Sequence, residues 1–226
     1  MALPLHKRLF VMKTLGKLAK FQGRYEEWQK IRQDHGLSWK EDDHVTAFKR
    51  MTEGENIDEM IAWVKEAGRI APVYKDVLVY ACLTGFRAAE VFLSLGLGNT
   101  GYYDADKGLL EPYKHPDLFI RPKKKAYVSV MTKDLLNIRT AFDARLSYNA
   151  LRLTMRRNGA AMNMQYCRRI YGTYLRSKGI ESEFIDLQQG RLPRSVFLRF
   201  YNRPNFKDEC DKVRAVLSNL AKEVYA

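Results

Sequence analysis

The chain has 226 residues, 46% of them hydrophobic and 29% charged, which excludes a disordered or collagen-like chain and suffices for one large domain or two small ones with a real core. Its 39 Lys and Arg against 26 Asp and Glu leave a formal charge of +13, an excess that calls for a polyanionic partner, nucleic acid first and an acidic membrane surface second. No apolar run approaches a membrane span, and Cys82, Cys167 and Cys210 are too few and too far apart for a disulfide framework or a zinc site, so a reducing cytoplasm is expected.

At the N-terminus a short apolar stretch precedes His6, Lys7 and Arg8, the reverse of a signal peptide, so an intracellular protein is expected. Leu9, Met12, Leu15, Leu18 and Ala19 recur at helical spacing, with Gly23 as the stop. Trp28, Ile31 and Arg32 continue a second short helix to Gly36, and Trp39 to Phe48 reads as a third. Lys7, Arg8, Lys13, Lys17, Lys20 and Arg24 make this segment basic, either as a solvated helix face or as a surface for an anion. A boundary falls at Glu53-Gly54-Glu55-Asn56, separating a small helical segment, 1–53, from a larger domain, 54–226.

Asn56 is expected to cap a helix running to about Ala67 and stopped by Gly68. A buried helix follows from Val73 to about Leu83, and another opens near Arg87 and ends by Gly96. Between Asn99 and Pro116 the composition turns to Gly, Tyr, Asp and Pro. Asp117 to Arg121 and Ala126 to Met131 read as strands of a hairpin whose tip is Pro122-Lys123-Lys124-Lys125. Lysines there either keep an edge soluble or probe a groove.

The remainder is helical: Tyr148 to Arg157, Asn163 to Ser177, Glu181 to Gln189, then Arg194 to Tyr201 opened by Pro193. Phe206 to Tyr225 is a long amphipathic helix with Val213, Val216, Leu217 and Leu220 on one face. The fold class is mainly α with a small β-hairpin or sheet.

Three boxes carry chemistry. In Thr84-Gly85-Phe86-Arg87-Ala88-Ala89-Glu90, Gly85 permits a left-handed bend, Arg87 opens the next helix, and Glu90 lies one turn on, where it can orient the guanidinium. Along Asn163 to Ser177, Met164, Cys167, Tyr171 and Tyr174 face the core, while Gln165, Arg168, Arg169 and Gly172 line the neighbouring face. Gly190-Arg191 closes the following helix, and Tyr201 comes ten residues later.

In this order and register the boxes resemble those of the tyrosine recombinases, the phage-integrase family. The chain has a Thr-Gly-x-Arg-x-x-Glu box, then Arg168 with Thr173, Gly179, Gly190 and Arg191 at the family's offsets, and Tyr201 within one residue of the usual distance. The segment Gly179 to Pro204, with its run Ile185 to Val196, is especially similar to the integrases of archaeal viruses and plasmids. The resemblance covers about 56–204. It implies a recombinase catalytic-domain fold from 54 onward, with a core-binding-like DNA-binding segment before it. The pattern departs from the family at Gln165 (usually His or Lys), Arg169 (usually His) and Arg191 (usually His or Trp, but Arg in the archaeal viral branch).

The implied activity is site-specific DNA cleavage and rejoining through a 3′-phosphotyrosyl bond, the integrase reaction of a mobile element. Arg87 and Arg168 would clamp the phosphate, Arg191 and Gln165 would add donors, and Tyr201 would attack. A hairpin lysine would protonate the leaving oxygen: Lys124 is preferred, with Lys123 and Lys125 as alternatives. Lys123, Lys125, Arg169 and Arg194 are further candidates for DNA contact. Guanidiniums suit the task because they stay charged and present a planar fork to phosphate oxygens. The implied partner is double-stranded DNA, with no metal, no cofactor and no membrane, and with a homo-tetramer forming on DNA from a monomer when free. The terminal helix 206–225 is either an exchange arm onto a neighbouring subunit or packed on its own domain. Two other readings stand beside this one: type IB topoisomerase-like relaxation, and a non-catalytic DNA-binding or architectural protein on the same scaffold.

Overall fold

The computed structural model describes residues 5–37, 48, 52, 56–98, 102–122, 124–192 and 206–226. The chain divides into two compact units, Met1–Gly54 and Glu55–Ala226. The helix expected over Trp39 to Phe48, the one expected over Arg194 to Tyr201, and the residues Lys123, Arg194 and Tyr201 lie outside the described residues, apart from Phe48.

In the first unit α1 (Leu5–Phe21) packs on α2 (Tyr25–Asp34). Gly16 lets the Trp28 indole lie close, since a Cβ there would stand 3.3 Å from the ring nitrogen. None of this unit's described residues is buried, and Phe10 and Phe21 are among its most exposed apolar side chains.

The second unit is mainly helical with small sheets. Its first helix, α3 (Ile57–Ile70), starts where the sequence expects: the Asn56 side chain accepts from the Glu59 backbone N–H at 2.8 Å, and the Glu59 carboxylate accepts from the Asn56 N–H at 3.2 Å. Gly68 does not stop it. The helix runs to Ile70 and ends before Pro72, which disfavours helical backbone in the residue preceding it. A 3₁₀ turn, Pro72–Tyr74, leads into α4 (Lys75–Thr84), buried from Val77 to Thr84. A helix apolar on every side belongs at the centre, and α4 is packed by α3, α9, α11 and α5 (Ala88–Gly96), with α9 being Gln165–Ser177 and α11 Phe206–Tyr225.

The segment after α5 holds β1 (Tyr103–Asp104) and β2 (Leu109–Leu110), then a 3₁₀ turn at Pro112–Lys114 and the short α6 (Pro116–Phe119). The expected hairpin is shorter than its sequence suggests. Asp117 to Phe119 are helical, β3 is Ile120–Arg121 and β4 is Lys124–Lys125, with Ile120 opposite Lys125 and Arg121 opposite Lys124. Lys124 and Lys125 are therefore strand residues rather than tip residues. The rest of the expected second strand diverges: β5 (Ser129–Val130) pairs antiparallel with β2, giving a three-stranded sheet in the order β1-β2-β5.

The sequence reading missed α7 (Lys133–Ala141), capped by Thr132, whose hydroxyl accepts from the Leu135 N–H. Then come α8 (Tyr148–Arg157), α9 and α10 (Ser182–Gln188). In α11, Cys210, Val213, Leu217, Leu220, Ala221 and Val224 are buried and the helix lies against α3, α4 and α9. Of its two expected arrangements, the structure has this helix on its own unit. Each fully buried Val or Leu there contributes about 1.5–3 kcal/mol of gross burial energy, which fixes the helix firmly.

Candidate functional site

The site is built on two glycine turns and one strand edge. α4 ends at Gly85, whose φ of +64° is left-handed. A Cβ there would meet the Tyr171 ring at 2.6 Å, so both the backbone and the packing require glycine. This turn delivers Arg87 as the N-cap residue of α5. One turn on, Glu90 is fully buried and accepts from the Arg87 backbone N–H at 2.9 Å and from Arg87 Nη1 at 2.9 Å. The same Nη1 donates to the Lys125 carbonyl at 3.1 Å.

The second turn follows α10. Gly190 has φ of +74°, and Arg191 leaves it with its backbone N–H on the Asp186 carbonyl. A Cβ on Gly190 would stand 1.7 Å from the Lys125 carbonyl oxygen, so the turn lies directly against β4.

Arg168 joins the two turns. From α9 its Nη1 donates to the Gly85 carbonyl at 2.7 Å, and its Nη2 donates to the Gln189 carbonyl. Gln189 returns the contact, its side-chain amide donating to the Arg168 carbonyl at 3.0 Å. Gly172, one turn along α9, leaves room for that amide, which lies 3.2 Å from where a Cβ would be. The chain thus closes a ring: Gly85 carbonyl, Arg168, Gln189-Gly190, Lys125 carbonyl, Arg87. Beneath it the buried Tyr171 hydroxyl donates to Gln188 Oε1, which also accepts from the Val130 N–H at 3.4 Å.

The electrostatics agree with the geometry. Burial pushes the Arg168 guanidinium down to about 10, the nearby Arg87 and Arg191 cations push it the same way, and Glu90 and Asp186 oppose them. Arg168 is thus within electrostatic reach of both Arg87 and Arg191, which lie far from it in sequence. Arg168 still carries its charge at neutral pH. Two of its five N–H donors are used by carbonyls, and no carboxylate neutralises it among the described residues.

The other candidates are placed as follows. Arg191 is more than half exposed and pairs with Asp186 at 2.6 Å. Gln165 is exposed in the first turn of α9, one turn before Arg168, and its side chain has no hydrogen bond among the described residues. Arg169 is exposed and lies over the Tyr166 ring at 5.8 Å. Lys124 is exposed and Lys125 half-buried. Strand alternation sends neighbouring side chains to opposite faces, so Lys124 shares a hairpin face with Arg121 and Lys125 shares one with Ile120. Sequence reasoning missed Gln189, the Lys125 carbonyl and Arg121. The last reaches Glu90 Oε1 through Nη2 at 3.4 Å.

A cluster of guanidiniums in which Arg168 has no carboxylate partner among the described residues is suited to a phosphate or phosphodiester. Comparison of the chain with known protein-family models, with curated proteins and with solved structures finds no match to any of them.

Proposed function

We propose that the chain is a site-specific DNA strand transferase of the tyrosine-recombinase type, acting as the integrase of a mobile element on double-stranded DNA in the host cytoplasm. The observation that carries this reading is the ring around Arg168, which bonds to the carbonyl two residues before Arg87 and to the carbonyl two residues before Arg191. The resemblance of the Arg87, Arg168, Gly190-Arg191 and Tyr201 boxes to that family is the second support.

In this reading the non-bridging oxygens of the scissile phosphate sit among Arg87, Arg168 and Arg191, with Gln165 adding a neutral donor. The Tyr201 phenol oxygen attacks phosphorus, and the bond from phosphorus to the 5′-oxygen breaks. The 5′-oxygen takes a proton from Lys124, and the phenol proton goes to solvent. A phenol of ordinary pKa near 10 is a poor nucleophile, and the surrounding cations favour its ionised form. Each preorganised guanidinium in such a site is worth roughly 3 kcal/mol of barrier. Rejoining reverses the steps, because the phosphotyrosyl bond keeps the energy of the cut strand. Assembly into a tetramer on DNA belongs to the same proposal.

Incubation with a pool of nicked duplexes of randomised sequence tests it. The expected result is an adduct resistant to SDS that Tyr201→Phe abolishes. A two-site exchange assay then separates recombination from supercoil relaxation alone. No adduct from any duplex supports a non-catalytic DNA-binding protein instead.

A further inference from the structure

Glu90 is the one described carboxylate that touches Arg87, and it is fully buried. A buried carboxylate that faced a single guanidinium would form a closed, neutral pair with it, and Arg87 would offer little field to a phosphate. Glu90 is not in that position. Its Oε1 is shared between Arg87 Nη1 at 2.9 Å and Arg121 Nη2 at 3.4 Å, the second cation arriving from β3, 31 residues away. Arg121 Nε is buried and donates to no acceptor among the described residues, so no other bond of that nitrogen to them holds this side chain in place.

Among the described residues Arg87 and Arg121 pair with Glu90, Arg191 pairs with Asp186 and Arg168 bonds only carbonyls, so four guanidiniums meet two carboxylates. Without Arg121 the surplus would halve, and what remained would sit on Arg168 alone. Arg87 Nη1 is committed to Glu90 and to the Lys125 carbonyl, which leaves its Nε and Nη2 edge for an incoming oxygen.

We propose that Arg121 is a positioning residue of the phosphate site: it takes up part of the Glu90 charge, so that Arg87 stays electropositive while held rigidly by its carboxylate. It also restrains the β3–β4 hairpin, since Arg121 and Lys124 are cross-strand partners and anchoring one limits the movement of the other. This inference rests on the phosphate-clamp reading above and deepens it.

The test uses the full chain and inorganic phosphate as the probe, with binding followed by the ¹⁵N shift of the Arg87 guanidinium. Wild type is expected to show a saturable shift. Arg121→Gln is expected to weaken phosphate binding about tenfold and Arg121→Lys, which keeps the charge, by no more than about threefold. In a Glu90→Gln background, Arg121→Gln is expected to change nothing further, because the two act as a unit. Equal phosphate affinity in wild type and Arg121→Gln overturns the inference while leaving the clamp intact. An Arg87 signal in wild type that ignores phosphate altogether sinks the clamp reading, and this inference falls with it.

Discussion

Gly190 packs its Cα so tightly against the backbone carbonyl of Lys125 that a Cβ there would lie 1.7 Å from the oxygen. The same carbonyl accepts from Arg87 at 3.1 Å, so one backbone oxygen joins the lysine strand to both glycine turns. Gly190→Ala meets both this clash and a left-handed φ of +74°. It is expected to destabilise the second unit by about 1–3 kcal/mol in denaturant titration and to shift the Lys125 and Ala126 amide resonances. Unchanged stability would show that β4 can retreat from the turn freely.

The hairpin register makes a chemical prediction. Lys124 shares its face with Arg121, and Arg121 reaches the Glu90 beside Arg87. Lys124→Ala is expected to slow cleavage of an ordinary duplex by roughly 10²–10⁴-fold, the usual contribution of a general acid. It should recover on a duplex whose 5′-bridging oxygen is replaced by sulfur, since a thiolate leaves without a proton. Lys125→Ala is expected to lose far less. The reverse ranking would assign the proton to the other face.

Arg168 predicts a pH dependence. Its guanidinium is charged below about 10, so its own titration should leave cleavage flat through neutrality and reduce it only as the pH rises through that value. For stability the sign is opposite: the unfolded chain holds this proton more tightly, so the cost of burying the charged guanidinium is relieved as the pH rises above about 10. Arg168→Lys keeps a cation but cannot span the Gly85 and Gln189 carbonyls. It is expected to cost about 1–3 kcal/mol of stability and roughly 10²-fold in cleavage rate.

Much of this was legible in the sequence because it depends on local pattern. The Asn56 cap, the apolar stripe of 206–225 and the glycine stops at 85 and 190 each follow from a few adjacent residues. What the sequence hid is non-local or too short to have a period. Two-residue strands cannot show alternation, so Lys124 and Lys125 read as a loop tip, and Ala126 to Met131 read as one strand although only Ser129–Val130 joins a sheet. Helix α7 has a mixed surface and a single capping threonine, with no glycine stop. Arg121 looked like the end of a strand, and nothing near it in sequence announces a buried glutamate 31 residues earlier. Main-chain acceptors such as the Gly85, Lys125 and Gln189 carbonyls carry no side-chain signature at all.

The placement of α11 gives a fourth expectation. Cys210, Val213, Leu217 and Leu220 are buried against the helices that carry the site. Deleting 206–226 should therefore lower the thermal midpoint and expose dye-binding apolar surface even in the absence of DNA. A truncated chain as stable as the intact one, impaired only in assembly on DNA, would instead identify the helix as an arm meant for a neighbour.

Strand transfer by this chain requires three arginines to converge upon one phosphate that a tyrosine attacks. Digestion of the covalent adduct and mass mapping of the nucleotide-bearing peptide reads this directly. The prediction is a 3′-phosphate linked to Tyr201 in wild type and no linked peptide from Arg87→Ala, Arg168→Ala or Tyr201→Phe. A nucleotide attached to any other residue, or an adduct that survives loss of both arginines, would contradict it.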